Sequence, residues 1–311
     1  MKDKIIIGTR GSELALWQAR YTQSILSAIG IESELKIIQT KGDQIQNLSF
    51  DKIEGKGFFT KEIEHALIAN EIDIAVHSHK DLETQDHPEL IIAAVSERED
   101  PRDVLLIRKE KVDNTTPLHL QKNAIVGTSS VRRKVQLLNI YPDLHCADIR
   151  GNVPTRIQKL SNGDFDAIVL AAAGLIRLNI DLTAFDVQFL DARSFIPAPA
   201  QGVLAWQCRK NDQKAFQILQ SIHQSQVKET LQIERSILQQ LNGGCQLPLG
   251  VFCEKKEGTF FIHIAYAARI TEPLLSFQHA CQDTESGVAY CLNKIKQWQA
   301  YSSADNLNSQ Q

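Results

Sequence analysis

Arginine residues recur in this sequence where a short apolar run gives way to a helical pattern. The five are Arg10, Arg132, Arg133, Arg150 and Arg156. A helix N-terminus presents free N–H groups and a positive dipole end, and a guanidinium fork adds bidentate binding of carboxylate or phosphate. A single arginine of this kind is more often a solvated surface charge. Five at successive strand ends, where α/β sheets bind ligands, indicate an anion site.

A carboxylate ligand is favoured over a nucleotide. The sequence contains neither Gly-x-x-x-x-Gly-Lys-Ser/Thr nor a Gly-x-Gly-x-x-Gly that follows a strand. Gly55-Lys56-Gly57 is too short and too poorly placed to replace either motif.

Lys80 and Asp81 follow a buried-strand pattern at residues 73–77. A carboxylate at a strand end beside a cationic site can balance a transient positive charge or move a proton. A local salt bridge or a helix cap is the alternative. His77 and His79 have no third ligand nearby in sequence, so we expect them to form hydrogen bonds and we predict no metal site.

Cys245 stands in Gly243-Gly244-Cys245-Gln246-Leu247-Pro248-Leu249-Gly250, a glycine-bracketed turn after a helical pattern. An exposed thiol there could react with a carbon electrophile, and an inert buried cysteine is the alternative. Cys208 is predicted to lie in a core strand. None of the six cysteines forms a Cys-x-x-Cys pair, so we expect free thiols and no structural zinc.

Short β-rich runs alternate with helical patterns, which predicts an α/β architecture with largely parallel sheets. Residues 5–12 read as a strand, a Gly-Thr turn and a helix capped by Ser12, and residues 124–130 echo them. Residues 70–76 are likewise echoed by residues 162–169. The echoes predict two similar domains that face each other across a cleft.

The composition changes after Gln201. A helical pattern at residues 227–241 precedes the Cys245 turn, and alternating segments such as residues 260–265 follow it. This order predicts a third, smaller α/β domain with Cys245 at its entry. Residues 40–59 hold few periodic apolar side chains, and we predict that they form a mobile cover over the active site.

Charge and hydropathy narrow the class of protein. The chain has 34 basic and 37 acidic residues, a net charge of -3, which disfavours a partner such as nucleic acid or an anionic membrane. No apolar run approaches the roughly 18 residues of a membrane span, and the first residues do not read as a signal peptide. We therefore expect a cytoplasmic protein.

A series of segments stands between about residue 5 and residue 250. The segments are Gly8-Thr9-Arg10-Gly11-Ser12, Ala15-Leu16-Trp17-Gln18-Ala19, Thr40-Lys41-Gly42-Asp43, Gly55-Lys56-Gly57-Phe58-Phe59, Asp73-Ile74-Ala75-Val76-His77-Ser78, Lys80-Asp81, Arg98-Glu99-Asp100-Pro101-Arg102-Asp103, Val126-Gly127-Thr128-Ser129-Ser130-Val131-Arg132-Arg133, Arg150-Gly151-Asn152, Gln201-Gly202 and Gly243-Gly244-Cys245-Gln246. Taken together and in this order, they resemble the hydroxymethylbilane synthase (porphobilinogen deaminase) family. The last part of the chain matches that family only loosely.

The resemblance implies two periplasmic-binding-protein-like (type II) domains and a third small α/β domain, with the active site in the cleft and a monomeric protein. The implied boundaries are residues 1–98 with 202–221 for the first domain, 103–197 for the second and 225–311 for the third.

The resemblance also implies a transferase reaction. The family carries a dipyrromethane cofactor, which would be held here by a thioether to Cys245. Four porphobilinogen molecules are condensed onto it head to tail with loss of four ammonia molecules, and hydrolysis releases linear hydroxymethylbilane. Each pyrrole brings an acetate and a propionate, which accounts for the arginines.

Roles follow for individual residues by the same resemblance. Asp81 is the catalytic residue, which stabilises the cation left when ammonia departs. The cofactor-binding residues are Cys245, Lys80, Asp43, Thr128, Ser129, Ser130, Arg132, Arg133 and Arg150. The substrate-binding residues are Arg10, Ser12, Gln18, Lys52, Lys56, Arg150, Arg156 and Arg177.

The sequence departs from the family at four places. Leu82-Glu83 replaces Val-Pro, His79 replaces Met, Ile176 replaces a basic residue, and Ala200 replaces the glycine before Gln201-Gly202. An alanine where the backbone φ is positive would strain the hinge.

Two other functions fit part of the pattern. A non-catalytic two-domain binding protein for a small dicarboxylate would use the arginines but would give Cys245 and Lys80-Asp81 no role. A cysteine-nucleophile hydrolase would use Cys245 but lacks an identifiable base.

Overall fold

The computed structural model describes residues 4–40, 60–85, 87–241 and 247–308. The chain divides into two compact units. The first unit comprises Met1–Asp100, Ala173–Asn179 and Gln201–Lys228, and the second comprises Pro101–Ala172, Ile180–Ala200 and Glu229–Gln311.

The described elements alternate along the chain. The strands are β1 Ile5–Thr9, β2 Ser33–Ile37, β3 Ile74–Ser78, β4 Leu90–Val95, β5 Asp103–Arg108, β6 Ile125–Gly127, β7 His145–Ala147, β8 Ala167–Ala171, β9 Phe185–Leu190, β10 Leu204–Arg209, β11 Leu249–Lys256, β12 Thr259–Tyr266 and β13 Leu275–Cys281. The helices are α1 Glu13–Ala28, α2 Lys61–Ile68, α3 Val131–Ile140, α4 Val153–Ser161, α5 Ala172–Arg177, α6 Gln213–Gln220, α7 Ser225–Gln240 and α8 Thr284–Asn308.

Two five-stranded sheets share one topology. The first runs β2-β1-β3-β10-β4 and the second runs β7-β6-β8-β5-β9. In each, the fourth strand is antiparallel to both neighbours, whereas the pairs around β1 and around β6 are parallel. The prediction of an α/β fold with two similar domains is confirmed. The sheets are mixed rather than largely parallel, because two of the four strand pairs in each are antiparallel.

The first sheet is covered on both faces. On one face, α1 and α6 pack against β1, β3 and β10, with Leu26, Ile74 and Trp206 fully or almost fully buried. The indole Nε1 of Trp206 donates to Thr22 Oγ1 at 2.8 Å, so its one polar atom is satisfied. On the other face, α2 packs through Ile63 and Leu67. Because helices cover both faces of the sheet, the ends of its strands are the part that remains open to a ligand.

Local sequence signals set the helix starts at these edges. The Oγ of Ser12 accepts from the Ala15 amide at 3.4 Å, which confirms the predicted cap of α1. The Oδ1 of Asn152 accepts from the Thr155 amide at 2.9 Å, and Pro154 lies in the first turn of α4, where its missing N–H costs nothing.

A third sheet, β11-β12-β13, is antiparallel throughout. One face packs against α7 and α8, with a core that includes Val251, Ile262, Ile264 and Cys291. This sheet belongs to the second compact unit. The three-domain division stays a prediction. Within the described part of the chain, no helix is both long enough and apolar enough to cross a membrane.

Candidate functional site

The carboxyl ends of β1 and β3 carry three of the predicted site residues. β1 and β3 are parallel neighbours, so the residues that follow them meet at one edge of the sheet. Arg10 comes directly after β1, and Lys80 and Asp81 form a 3-10 turn directly after β3. Asp81 is exposed, and the half-buried Lys80 donates from Nζ to Gln201 Oε1 at 3.3 Å. Asp81 is therefore an exposed carboxylate at the same edge of the sheet as Arg10 and Lys80.

Helix α1 is tied to the same edge. Gln18 is buried and donates from Nε2 to Ser78 Oγ at 2.8 Å, so it connects the helix to the last residue of β3. Thr9 Oγ1 donates to the Ala15 carbonyl at 3.0 Å. The predicted substrate residues Ser12 and Gln18 therefore have structural roles at this edge, as a helix cap and as a brace.

A buried polar chain that sequence reasoning did not assign crosses the first sheet. His77 Nε2 lies 3.2 Å from Gln207 Oε1, and Gln207 Nε2 donates to Glu64 Oε1 at 3.0 Å. Because the amide nitrogen of Gln207 donates to Glu64, the amide oxygen of Gln207 must accept from His77. This places the imidazole proton of His77 on Nε2. Burial lowers the pKa of His77 to about 4, with the Arg10 charge acting in the same direction. The predicted hydrogen-bonding role of His77 is confirmed.

No group of three or more His, Cys, Asp or Glu side chains is arranged to hold a metal ion in the described part of the chain.

Arg177 holds the Gln201-Gly202 segment of the first unit. It is buried and donates from Nη2 to the Gly202 carbonyl at 2.6 Å, and its guanidinium lies 5.7 Å from the ring centroid of Trp17. Burial lowers the pKa of Arg177. Arg98 Nε donates to the Gln201 carbonyl at 3.1 Å. The Gln201-Gly202 segment thus accepts hydrogen bonds from three cations, Lys80, Arg98 and Arg177.

Ala200 has a φ of +63°, in the left-handed region where glycine is favoured. The predicted positive φ at this departure from the family is confirmed. The amide of Ala200 donates to Glu234 Oε2 at 2.7 Å, and the Cys253 amide donates to Glu234 Oε1 at 2.8 Å. The fully buried carboxylate of Glu234 connects α7, β11 and the strained residue, which holds a conformation that costs about 1–2 kcal/mol for alanine.

In the second unit, Arg132 and Arg133 begin α3 and are almost fully buried. Arg132 Nη1 lies 2.8 Å from Asp103 Oδ2, and Arg133 Nη2 lies 2.7 Å from Asp103 Oδ1. Burial opposes ionisation of Asp103, but the two guanidinium groups outweigh it and hold the pKa of this carboxyl well below its usual range. Two cations share one carboxylate, so the cluster keeps an excess of one positive charge.

The turn after β6 presents the predicted Thr128, Ser129 and Ser130. Ser129 Oγ donates to the Ile149 carbonyl at 2.8 Å and accepts from the Ile149 amide at 3.1 Å. Thr128 Oγ1 accepts from the Ser130 amide at 3.2 Å. Because β6 and β7 are parallel, this turn meets the segment after β7 at one edge of the sheet.

Arg150 and Arg156 flank the start of α4 at that edge. Both are half-buried, and Arg156 Nε donates to the Gly151 carbonyl at 2.8 Å. Gly151 has a φ of +112°, which turns the chain between Arg150 and the helix cap Asn152. The second unit therefore places hydroxyl groups, two arginines and a helix N-terminus along one sheet edge.

Four predicted site residues lie outside the described residues. They are Asp43, Lys52, Lys56 and Cys245. The predicted cover at residues 40–59 falls there as well, apart from Thr40. Cys208 is buried on β10, as predicted, and burial raises the pKa of its thiol to about 11.

The chain matches a known family model. Residues 5–217 match the model described as "Porphobilinogen deaminase, dipyromethane cofactor binding domain".

Curated relatives match over most of the chain. The porphobilinogen deaminase of Sulfurimonas denitrificans is 44% identical over 276 residues, which cover 88% of this chain and 87% of the relative. The porphobilinogen deaminase of Syntrophomonas wolfei subsp. wolfei is 46% identical over 258 residues, which cover 82% of each chain. Among solved structures, the periplasmic VFT2 domain of Bordetella pertussis BvgS matches with a TM-score of 0.42 and 14% identity over 71% of this chain and 86% of that one.

Proposed function

Because this chain belongs to the porphobilinogen deaminase family, we propose that its two sheet edges bind the carboxylates of an oligopyrrole while Asp81 acts on each incoming porphobilinogen. The chain is an enzyme of tetrapyrrole biosynthesis. It condenses four porphobilinogen molecules head to tail with release of four ammonia molecules, and one water releases the linear product. The residue roles rest on one observation: Asp81, Lys80 and Arg10 all follow parallel neighbouring strands and so lie at one edge of the first sheet.

The donor set of the second unit fits a dipyrromethane. Two linked pyrroles with an acetate and a propionate each carry four carboxylates, which require charged and neutral donors in excess of the protein's own acids. The unit offers the excess positive charge of Arg132 and Arg133, the hydroxyl groups after β6, and Arg150 at a helix N-terminus. Such charge-assisted hydrogen bonds are the strong ones that carboxylates form.

We assign attachment of the cofactor to Cys245 and its further positioning to Lys80 and Asp43. When bound, the cofactor supplies the free pyrrole carbon to which the first substrate is joined. Lys80 is held by Gln201, so its ammonium group has a defined position before any ligand arrives. A group held in place in this way loses little conformational entropy when it binds a carboxylate.

We assign to Asp81 the role of stabilising the positive charge on the substrate ring. As ammonia leaves porphobilinogen, positive charge spreads over the pyrrole, and a carboxylate near the ring N–H stabilises that charge and accepts the proton released when the new carbon–carbon bond forms. A group of this kind typically contributes about 3–4 kcal/mol, or two to three decades in rate. Exposure of Asp81 on a short turn leaves its oxygens open to the ring.

The arginines of both units are assigned to acetate and propionate groups. Arg10, Arg156 and Arg177 would bind substrate carboxylates, with Ser12 and Gln18 as neutral donors. Lys52 and Lys56 complete the proposed substrate residues. Binding energy from these groups fixes the reacting carbons near each other, which converts a bimolecular coupling into an effectively intramolecular one.

The same proposal covers the reaction class, the oligomeric state, the location and the third domain. The reaction class is group transfer, the protein acts as a cytoplasmic monomer, and residues 225–311 form a third domain that carries the Cys245 turn. A gel-filtration measurement of the mass of the native protein would test the monomer.

Asp81→Asn tests the catalytic assignment because it keeps the size of the side chain and removes its charge. We expect kcat for tetrapyrrole formation from porphobilinogen to fall by about 10²–10³-fold. Glu34→Gln, an exposed carboxylate on β2, is the matched control and should leave kcat unchanged. Wild-type kcat in Asp81→Asn would refute the assignment.

The rival function, a binding protein for a small dicarboxylate, predicts a different outcome. Such a protein would bind porphobilinogen without releasing ammonia. Release of one ammonia for each porphobilinogen consumed by the wild type excludes it.

A further inference from the structure

A pocket of about 270 Å³ opens on the third sheet, within the second unit. Its lining residues are Arg193, Glu254, Lys256, Phe261, His263 and Gln278. Side chains alternate between the two faces of a strand, and Cys253 and Ile262 point into the core beneath α7 and α8. The pocket residues of β11 and β12 therefore lie on the opposite face, away from those helices.

Glu254 organises the charge of this pocket. Its Oε1 accepts from Arg193 Nε at 2.7 Å, and its Oε2 accepts from Arg193 Nη2 at 3.0 Å and lies 2.9 Å from Lys256 Nζ. Hydrogen bonds from Arg193, ahead of all other causes, lower the pKa of Glu254 to about 2. The carboxylate is therefore ionised and neutralises only one of the two cations. With neutral His263, the lining keeps one positive charge.

His263 is the buried polar group of the pocket. The residue is 3% exposed, and among the described residues its Nε2 has no well-aligned hydrogen-bond partner. Glu254 Oε1 lies 3.4 Å from Nε2, a long ion-pair contact that falls short of a well-formed hydrogen bond. A lone pair on Nε2 would face that carboxylate, so the tautomer with the proton on Nε2 is favoured. A buried donor left unpaired is costly, and a ligand acceptor in the pocket would satisfy it.

Two phenylalanine rings lie in or next to the pocket, beside its polar groups. The ring of Phe261 lines the pocket, and Phe252 stacks on His263 with ring centroids 5.9 Å apart. Gln278 is the cross-strand neighbour of His263 and contributes an amide at the rim. The lining is thus mainly polar, and Phe261 gives it one apolar wall on which a ring can pack.

We propose that this pocket binds a small aromatic monocarboxylate. The carboxylate would accept from His263 Nε2–H and from the cationic groups of Arg193 and Lys256, and its ring would pack on Phe261. A single negative charge matches the single excess positive charge of the lining. A metal ion is disfavoured because two cations line the pocket with only one carboxylate. The inference does not depend on the proposed function, since none of its residues is assigned to the reaction.

Benzoate is a suitable probe, and the reporter is the NMR signal of the His263 ring in the purified full chain with its cofactor. We expect a saturable shift of that signal with a Kd of about 1–10 mM, because a few charge-assisted contacts in an open pocket give modest affinity. Benzoate bound at the arginines of the two sheet edges would leave this signal unmoved.

Two neighbouring lysines on β11 provide a matched pair. Lys256→Met removes a pocket cation and should weaken benzoate binding at least threefold. Lys255→Met should leave it unchanged, because Lys255 points to the other face, where it lies 4.7 Å from the Phe260 ring centroid and pairs with Glu229. Both side chains are exposed enough to be replaced without loss of the core.

Any of three results would overturn the proposal. The first is a His263 signal that does not saturate with benzoate, and the second is an equal loss of benzoate binding in Lys255→Met and Lys256→Met. The third is binding of inorganic phosphate and acetate as tight as that of benzoate. The last result would mean that the ring makes no contribution. Binding of benzoate in preference to acetate, weakened by Lys256→Met and by Arg193→Met, would support it.

Discussion

The imidazole Nε2 of His77 lies 3.2 Å from the side-chain oxygen of Gln207, although the two residues are far apart in sequence. The contact joins β3 to the antiparallel strand β10, which enters the first sheet only after the chain has built the second. It therefore exists only when the first sheet is complete. Because His77 lies near the end of β3, two residues before the turn His79–Asp81, this pair holds the base of the proposed catalytic turn.

The buried imidazole predicts a pH dependence of stability. The pKa of His77 falls from 6.5 to about 4 on folding, so the unfolded chain binds a proton between these values and the folded chain does not. His77 therefore stabilises the fold above pH 6.5, and this contribution is lost as the pH falls towards 4. The loss amounts to about 3 kcal/mol at most.

Urea unfolding at several pH values checks this, with His77→Gln as the test variant and the exposed His145→Gln as the control. The difference in unfolding free energy between wild type and His77→Gln should shrink as the pH falls from 6.5 to 4. A difference that stays constant would contradict the assignment.

The Asp103 cluster predicts a large loss of stability on removal of its carboxylate. Asp103→Asn leaves Arg132 and Arg133 buried without a counter-charge, which typically costs about 3–5 kcal/mol. Asp148→Asn is the matched control, because Asp148 forms an exposed ion pair with Lys134 at 2.6 Å. Exposed pairs contribute about 0–1 kcal/mol. Equal losses in the two variants, measured by denaturant unfolding, would show that the buried cluster has no special role.

Replacement of Gly202 by alanine should lower stability through both backbone strain and a steric clash. Its φ is +90°, and a Cβ added there would lie 2.4 Å from the Glu99 carbonyl oxygen. Gly30 has a φ of +78° but has nothing within 4 Å of an added Cβ. Gly30→Ala should cost only the strain, about 1–2 kcal/mol.

Gly202→Ala should cost at least about 2 kcal/mol more, because backbone must move to accept the methyl group. Thermal unfolding of both variants checks the difference. Similar melting temperatures would mean that the Gln201-Gly202 segment relaxes easily, contrary to its fixation by Arg98 and Arg177.

Local features of the fold could be predicted from sequence, whereas the long-range partners could not. The cap at Ser12 follows from a residue and its immediate neighbours, and the positive φ at Ala200 from the glycine that the family has there. The sequence also indicated two similar domains, because the Gly-Thr turns after β1 and β6 repeat.

The buried partners of the arginines were not predictable in this way. Arg132 and Arg133 have the same local pattern as solvent-facing arginines at a helix start. Their pairing with Asp103 depends on β5, which enters the second sheet between β8 and β9 as an antiparallel strand. The contact of His77 with Gln207 depends in the same way on β10. Both contacts depend on which strand the chain inserts as the antiparallel member of each sheet. No short segment of sequence encodes that choice.

Intact-mass measurement of the purified chain after exposure to limiting porphobilinogen tests the central claim most directly. We predict a polypeptide that already carries two pyrrole units and a ladder of species, each heavier by one further pyrrole unit. Cys245→Ser should show neither, while Cys146→Ser, at a half-buried position, should show both. A bare polypeptide mass in the active wild type, or a ladder that persists in Cys245→Ser, would contradict growth of the oligopyrrole on this cysteine.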